Sequence, residues 1–390
     1  MAERKRGGAR AWIKRGLAGA GLVLLLLVAV GLIFGWRAFG KRASGARLVA
    51  MKASPQWRDG KFVNPQPLQN HMWRAIVAAL DASAHVSPAS ALPVQRVDLT
   101  NPPRTGLRAT WLGHSSVLIE IDGHRVLTDP MLSQRASPLP WLGPQRWFTS
   151  PLDANNMPAL DAVVISHDHY DHLDRNSIMA LAITTPAAKF IVPLGVGAHL
   201  ELWGVRPDRI VELDWWQSTR VGRLQIVCTP ARHASGRMLI DNDAKLWAGF
   251  AIIGEKHRVY YSGDTGLFRA MADIGARLGP FDLTMIEVGQ YHQAWPDWHI
   301  GPEQAVRAHQ MVRGRVMLPV HWGTFALAFH GWTEPIERVW AAARGAGVTL
   351  VAPRPGQSFE PARPPTVTRW WPELPWSTGQ QDPIVSNDVD

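Results

Sequence analysis

Polar and apolar positions divide the 390-residue chain into unlike stretches. Residues 16–36 carry no charged side chain and centre on a leucine-rich run at 22–27. About 20 apolar residues suffice to cross a bilayer as a helix. Lys14 and Arg15 precede this run, and Arg37, Lys41 and Arg42 follow it. The pattern predicts one N-terminal transmembrane anchor, longer than the apolar region of a cleaved signal peptide. Six bases precede the span and five follow it closely, which leans towards a cytoplasmic N-terminus and an extracytoplasmic catalytic domain.

Further on, residues 37–105 read as a juxtamembrane extension with a short helix over 71–81. Runs 110–121 and 125–128 flank Asp122-Gly123, a strong hairpin signal. Short β-rich apolar runs follow at 162–166, 190–193, 224–229, 246–253, 259–262, 283–288, 317–320 and 349–352. Helical periodicity falls at 175–181, 267–278, 302–312 and 334–345. Hairpins first, then alternating strands and helices, predict a mixed α/β body with buried sheets. The expected divisions are a basic segment 1–15, an anchor 16–36, the extension 37–105, a catalytic body 106–360 and a Pro/Trp-rich tail 361–390. The tail is expected to be disordered or extended over the surface.

Charge narrows the function. The net charge is +9, yet residues 1–52 hold eleven Lys/Arg against one acid, and the rest holds 30 bases against 31 acids. The body is near neutral, which argues against a nucleic-acid partner. A single cysteine, Cys228, excludes a disulfide framework and a Cys-based metal site.

The chemistry gathers where buried strands end. The run 162–166 leads into His167-Asp168-His169-Tyr170-Asp171-His172, 224–229 into Pro230-Ala231-Arg232-His233, 259–262 into Gly263-Asp264-Thr265-Gly266, and 317–320 into His321-Trp322-Gly323. Loops at the carboxyl ends of strands leave the scaffold together and converge. A strand-to-helix turn can aim His167 and His169 one way and Asp171 and His172 another, towards two neighbouring metals. Imidazole and carboxylate suit Zn2+, while Mn2+ or Fe also accept mixed His/Asp sites.

This order of ligands resembles the metallo-β-lactamase superfamily. Trp111-Leu112-Gly113-His114-Ser115-Ser116, Leu127-Thr128-Asp129-Pro130, Glu212-Leu213-Asp214-Trp215-Trp216, Gly279-Pro280-Phe281-Asp282 and His321-Trp322-Gly323-Thr324-Phe325 resemble its N-acylphosphatidylethanolamine-hydrolysing phospholipase D branch. The resemblance implies a four-layer αβ/βα sandwich. It implies two divalent ions per chain: one on His167, His169 and His233, the other on Asp171, His172 and His321, with Asp264 bridging. Asp129 would orient a ligand, and His114 would lie near the site or pack in its strand. In the loop 289–299, which keeps the position of a substrate-facing loop, His299, Tyr291 and Trp295 are expected substrate contacts. Trp298 joins Trp141, Trp147, Phe148 and Trp295 as apolar walls.

A metal pair sharing a bridging hydroxide would make a nucleophile at neutral pH. The leading expectation is therefore a membrane-anchored phosphodiesterase of the bacterial inner membrane. Its expected partners are a phospholipid or other small phosphodiester, the bilayer and a second copy of the chain. The alternatives are hydrolysis of a lactone, lactam, cyclic nucleotide or other phosphoester, or a tethered protein with a non-catalytic metal site.

Overall fold

The computed structural model describes residues 2–80, 82–238 and 240–387. Its N-terminal part holds α1 (Ala2–Gly35), α2 (Ala46–Lys52), a ribbon of β1 (Trp57–Arg58) and β2 (Lys61–Phe62), and α3 (Met72–Leu80). The uncharged run 16–36 falls largely in α1, and several of its side chains lie outside those described. Among the described residues no helix is long and apolar enough to cross a membrane.

The body continues with β3 (Leu107–Gly113), β4 (Ser116–Ile121), β5 (His124–Thr128), β6 (Ala162–Val164), α4 (Arg175–Thr184), β7 (Lys189–Pro193), α5 (Gly197–Leu202) and β8 (Ile210–Leu213). Then come β9 (Ser218–Val221), β10 (Leu224–Thr229), β11 (Gly249–Ile253), β12 (Arg258–Tyr261), α6 (Ala270–Leu278), β13 (Phe281–Glu287), α7 (Pro302–Met311), β14 (Gly314–Val320), α8 (Glu334–Gly345), β15 (Thr349–Leu350) and β16 (Ser358–Phe359).

The strands form two seven-stranded sheets, ordered β16-β3-β4-β5-β6-β7-β8 and β15-β14-β13-β12-β11-β10-β9. Each begins with antiparallel hairpins and then turns parallel, at β5–β6 in one, where residues 129–161 cross over as a long loop, and at β12–β13 in the other, where α6 makes the crossover. Side chains alternate across the first sheet. Val117, Ile119, Val126, Val164 and Ile191 join one core with Ile226, Cys228, Phe250 and Ile252 of the second sheet. Leu118, Leu127, Val163, Phe190 and Val192 instead pack outwards with Ile178 and Leu181 of α4 and Leu200 of α5. With α6–α8 flanking the second sheet, the layers run helix, sheet, sheet, helix, as the expected sandwich requires.

Two local expectations need correction, and one strand was not expected. The run 110–121 is two strands, because Gly113 and His114 both take positive φ and turn the chain at its middle. A Cβ on Gly113 would sit 2.7 Å from the Phe148 ring, so the turn needs glycine there. The run 246–253 is a strand only from Gly249; before it, Leu246 and Ala248 donate to the carbonyls of Leu194 and Ser166 and tie the two sheets together. The polar strand β9 alternates between exposed and half-buried positions and carries no apolar run to announce it.

The tail lies over the body. Trp371 is buried and donates to Glu337 Oε1 at 2.7 Å, and Arg369 binds both oxygens of that carboxylate.

Candidate metal centre

Strand register brings the functional loops to one end of the sandwich. Thr128 pairs with Val164, so Asp129 stands beside Ser166 and the loop of His167 to His172. Glu287 pairs with Val320, so the last residue of β13 faces His321. The ends of the two sheets meet directly, since the His321 N–H donates to the His114 carbonyl at 3.1 Å and the His114 N–H to Thr324 Oγ1 at 2.6 Å.

Two groups of ligand atoms result. His167 Nε2 lies 2.9 Å from His169 Nδ1, and His233 Nε2 lies 3.3 Å from that same nitrogen. In the second group Asp171 Oδ2 lies 2.9 Å from His114 Nε2 and 3.3 Å from both His172 Nε2 and His321 Nε2. Asp264 Oδ2 stands between the groups, 3.0 Å from His172, 3.1 Å from His321 and 3.8 Å from both His167 and His233. His169 and Asp171 are partly exposed and form the mouth, whereas the other five expected ligands are buried.

These residues fit divalent metal. Three imidazole nitrogens facing one another can at most share N–H···N contacts, whereas one cation between them would use all three lone pairs. Buried Asp264 Oδ1 and His172 Nε2 have no hydrogen-bond partner of good geometry, a costly arrangement unless something coordinates there.

Electrostatics point the same way. Burial, reinforced by neighbouring imidazoles, holds His167 and His233 well below the ordinary histidine value, leaving their lone pairs free. Burial and the nearby His321 push His114 down to about 3. Burial also opposes charge on His172 and His321, but Asp264 and Asp171 outweigh it. His172 is held well above its usual value and His321 is raised to about 10. Asp171 and Asp264 are held well below the carboxylate range: burial opposes this, and the histidines, His172 foremost, override it.

The site thus draws positive charge to the Asp171–Asp264 side. Because His172 and His321 carry protons at neutral pH in cation-free protein, Zn2+ binding there must displace them. Zinc affinity is expected to rise with pH towards about 10, where His321 gives up its proton. Calorimetry in two buffers of different ionisation enthalpy counts the protons released; no release would remove these two histidines from the ligand set.

Buried partners aim the ligands. Asp129 accepts from the Ser166 N–H at 2.7 Å, from Ser166 Oγ at 2.5 Å, from His172 Nδ1 at 2.6 Å and from the Tyr261 hydroxyl. His233 Nδ1 donates to the Trp298 carbonyl at 2.9 Å. Glu287, which the sequence reading missed, accepts from the Thr265 N–H and lies 2.8 Å from His299 Nδ1. Gly263 must be glycine: its φ is +60°, and a Cβ would meet the Ala248 carbonyl at 2.6 Å.

The expected substrate contacts divide. His299 reaches the site, its Nδ1 3.8 Å from Asp264 Oδ2, and Trp295 is half-buried against His292 and Phe329. Tyr291 does not reach the surface. It is fully buried and its hydroxyl donates to Glu334 of α8 at 2.7 Å, so it braces the loop and cannot line a binding surface. Phe148 and Trp147 also turn inwards, under Arg146 and against Trp332 respectively, whereas Trp141 is exposed.

Four packed layers with histidines and carboxylates gathered at strand ends define a metal-dependent hydrolase of the metallo-β-lactamase superfamily, and the chain belongs to it. The family model described as "Beta-lactamase superfamily domain" matches residues 124–322. An uncharacterized protein of Mycobacterium tuberculosis is 49% identical over 343 residues, 86% of this chain and 91% of that protein. The N-acyl-phosphatidylethanolamine-hydrolyzing phospholipase D 1 of Caenorhabditis elegans is 39% identical over 256 residues, 63% of this chain and 71% of that protein, which places the chain in the same branch. The solved metallo hydrolase Igni18 of Ignicoccus hospitalis shares the fold, with a TM-score of 0.50 and 24% identity over 65% of this chain and 98% of its own.

Proposed function

We propose that this protein is a membrane-anchored phosphodiesterase that holds two divalent ions, Zn2+ first, and cleaves glycerophospholipids in phospholipase D fashion, N-acylphosphatidylethanolamine foremost. The observation that carries the reading is the single buried oxygen, Asp264 Oδ2, within 3.8 Å of ligands from both groups. One carboxylate reaching two ligand sets suits a metal pair better than one closed structural ion. The phospholipid comes from the worm relative's name. The near-neutral body disfavours polyanions.

Bound there, the ions would supply an acidified water and offset negative charge on the phosphodiester. His167, His169 and His233 would hold one ion, Asp171, His172 and His321 the other, and Asp264 both. His299, with Nδ1 tied to Glu287, would direct its other ring nitrogen to the phosphate. Hydrolysis joins a water oxygen to phosphorus and breaks the bond from phosphorus to the head-group oxygen, which leaves protonated. The products are phosphatidic acid and the head-group alcohol.

The test is zinc-loaded full-length protein with detergent-dispersed N-acylphosphatidylethanolamine, read by mass spectrometry. Phosphatidic acid, lost on chelation and restored by Zn2+, is the expected product. Intact phospholipid alongside opened lactones, lactams or cyclic nucleotides would move the activity to those substrates.

The anchor reading is supported by the uncharged run 16–36 and its basic flanks. The full-length chain should fractionate with membranes, resist carbonate washing and dissolve in detergent. Full-length protein recovered in the aqueous fraction without detergent would end that reading.

A further inference from the structure

On α3 the large apolar residues follow the helical spacing i, i+3, i+4, i+7, yet they face outwards. Trp73, Ile76, Val77 and Leu80 are 74%, 52%, 50% and 88% exposed, while Ala75 and Ala78 are the half-buried positions. A soluble body normally turns such a stripe inwards. Four large apolar side chains on nine residues are the kind of exposed patch that marks an interaction surface.

The helix is fastened beside the candidate metal centre. Just before it, the Gln69 N–H donates to Asp297 Oδ2 at 2.9 Å and the His71 N–H to the Ala294 carbonyl at 2.7 Å. Just after it, the Ser83 N–H donates to the Phe329 carbonyl at 2.9 Å. Ala294 and Asp297 belong to the same loop as His299 and Trp298, whose carbonyl holds His233. A second apolar patch lies on the loop at the end of α1. Trp36, Trp141 and Leu142 are exposed there, and Leu139 sits against Gly35. Pro138 and Pro140 of that loop line one cavity with Ala38 and Tyr170, the neighbour of His169 and Asp171 at the mouth.

We propose that α3 is an interfacial helix that seats its Trp73–Ile76–Val77–Leu80 face in the acyl region of a phospholipid bilayer, setting the mouth of the metal centre against the membrane surface. This rests on the phospholipid reading and names the surface through which that substrate is met. A bilayer fits better than a protein partner for three reasons. The face is aliphatic with one tryptophan, suited to the boundary between acyl chains and head groups. The described helix holds no acidic side chain, and exposed Arg74 flanks the apolar face as a partner for lipid phosphates. The uncharged run of α1, read as the membrane anchor, belongs to the same N-terminal extension as α3, so a bilayer is close at hand for this face.

The test uses full-length protein in phosphatidylcholine vesicles containing a nitroxide-bearing lipid. A fluorescent NBD label is placed on Ile76→Cys and, as control, on Glu255→Cys. Glu255 lies in the turn between β11 and β12, at the end of the sandwich away from Asp264. Cys228 is buried and stays unlabelled. The Ile76 label should shift to the blue and be quenched about threefold or more above the control. Equal quenching at both positions overturns the proposal. A blue shift in lipid-free detergent that grows with protein concentration assigns the face to a second copy instead. A second variant, Ile76→Glu with Val77→Glu, alters only exposed positions. It should raise KM on vesicles about tenfold and leave kcat and turnover of detergent-dispersed lipid unchanged; an unchanged KM on vesicles also contradicts the proposal. Quenching requires no turnover, so a seated helix with intact lipid would reject the substrate reading alone.

Discussion

Replacing Asp264 by alanine is expected to empty the centre and lower activity on the order of a thousandfold or more, the largest loss of any single substitution. Asp264 Oδ2 stands within 3.1 Å of His172 and His321 and within 3.8 Å of His167 and His233. Its removal takes a ligand from both groups and the charge that draws cations there. Asp264→Asn should fail almost as badly, since it keeps the shape and loses the charge. His233→Ala touches only the three-histidine group, so it should retain the ion on the Asp171 side. Elemental analysis of dialysed protein separates the cases: close to two ions in the parent, about one in the His233 variant and little in either Asp264 variant. Two retained ions in Asp264→Ala would refute its bridging role.

Asp129→Ala should be the most destabilising change near the site, although Asp129 is no metal ligand in this account. It is fully buried and accepts from four donors on both sheets: the Ser166 N–H and hydroxyl, His172 Nδ1 and the Tyr261 hydroxyl. Alanine leaves those donors buried without an acceptor. Breaking such a buried charged cluster by removing one partner costs about 3–5 kcal/mol. It also frees His172 to rotate, so metal affinity should fall roughly 10- to 100-fold. Denaturant unfolding of metal-free protein reads the first effect and a competitive zinc titration the second. Unchanged values in both would show that Asp129 neither holds this buried cluster together nor aims His172.

Much of this arrangement is legible in the sequence. Histidine and aspartate directly after short apolar runs announce loops at strand ends, and the early hairpins and later alternation imply the mixed α/β body with buried sheets that is found; its arrangement as a two-sheet sandwich is implied by the family resemblance. What escaped did so for physical reasons. Glu287 closes a buried strand as Asp129 follows one, but a lone acid after an apolar run reads as an ordinary polar end. Only the pairing of Glu287 with Val320 reveals that it faces His321. Tyr291 misled in the opposite direction. An aromatic hydroxyl in a loop near the site suggests substrate, whereas its partner Glu334 lies 43 residues away on α8. The tail showed no periodicity because tryptophan packing and Arg369–Glu337 hold it down in place of a strand or helix. The short helix expected over 71–81 is α3 (Met72–Leu80), but the expectation of a helix alone could not show that its large apolar residues face out.

The most direct test of the central claim is the fate of water oxygen. Zinc-loaded full-length protein is given N-acylphosphatidylethanolamine in water enriched in 18O, and the products are resolved by mass spectrometry. Phospholipase D chemistry at phosphorus places one 18O in the phosphate of phosphatidic acid and none in the released N-acylethanolamine. Label in a free fatty acid, label in the alcohol, or no product at all would contradict the account.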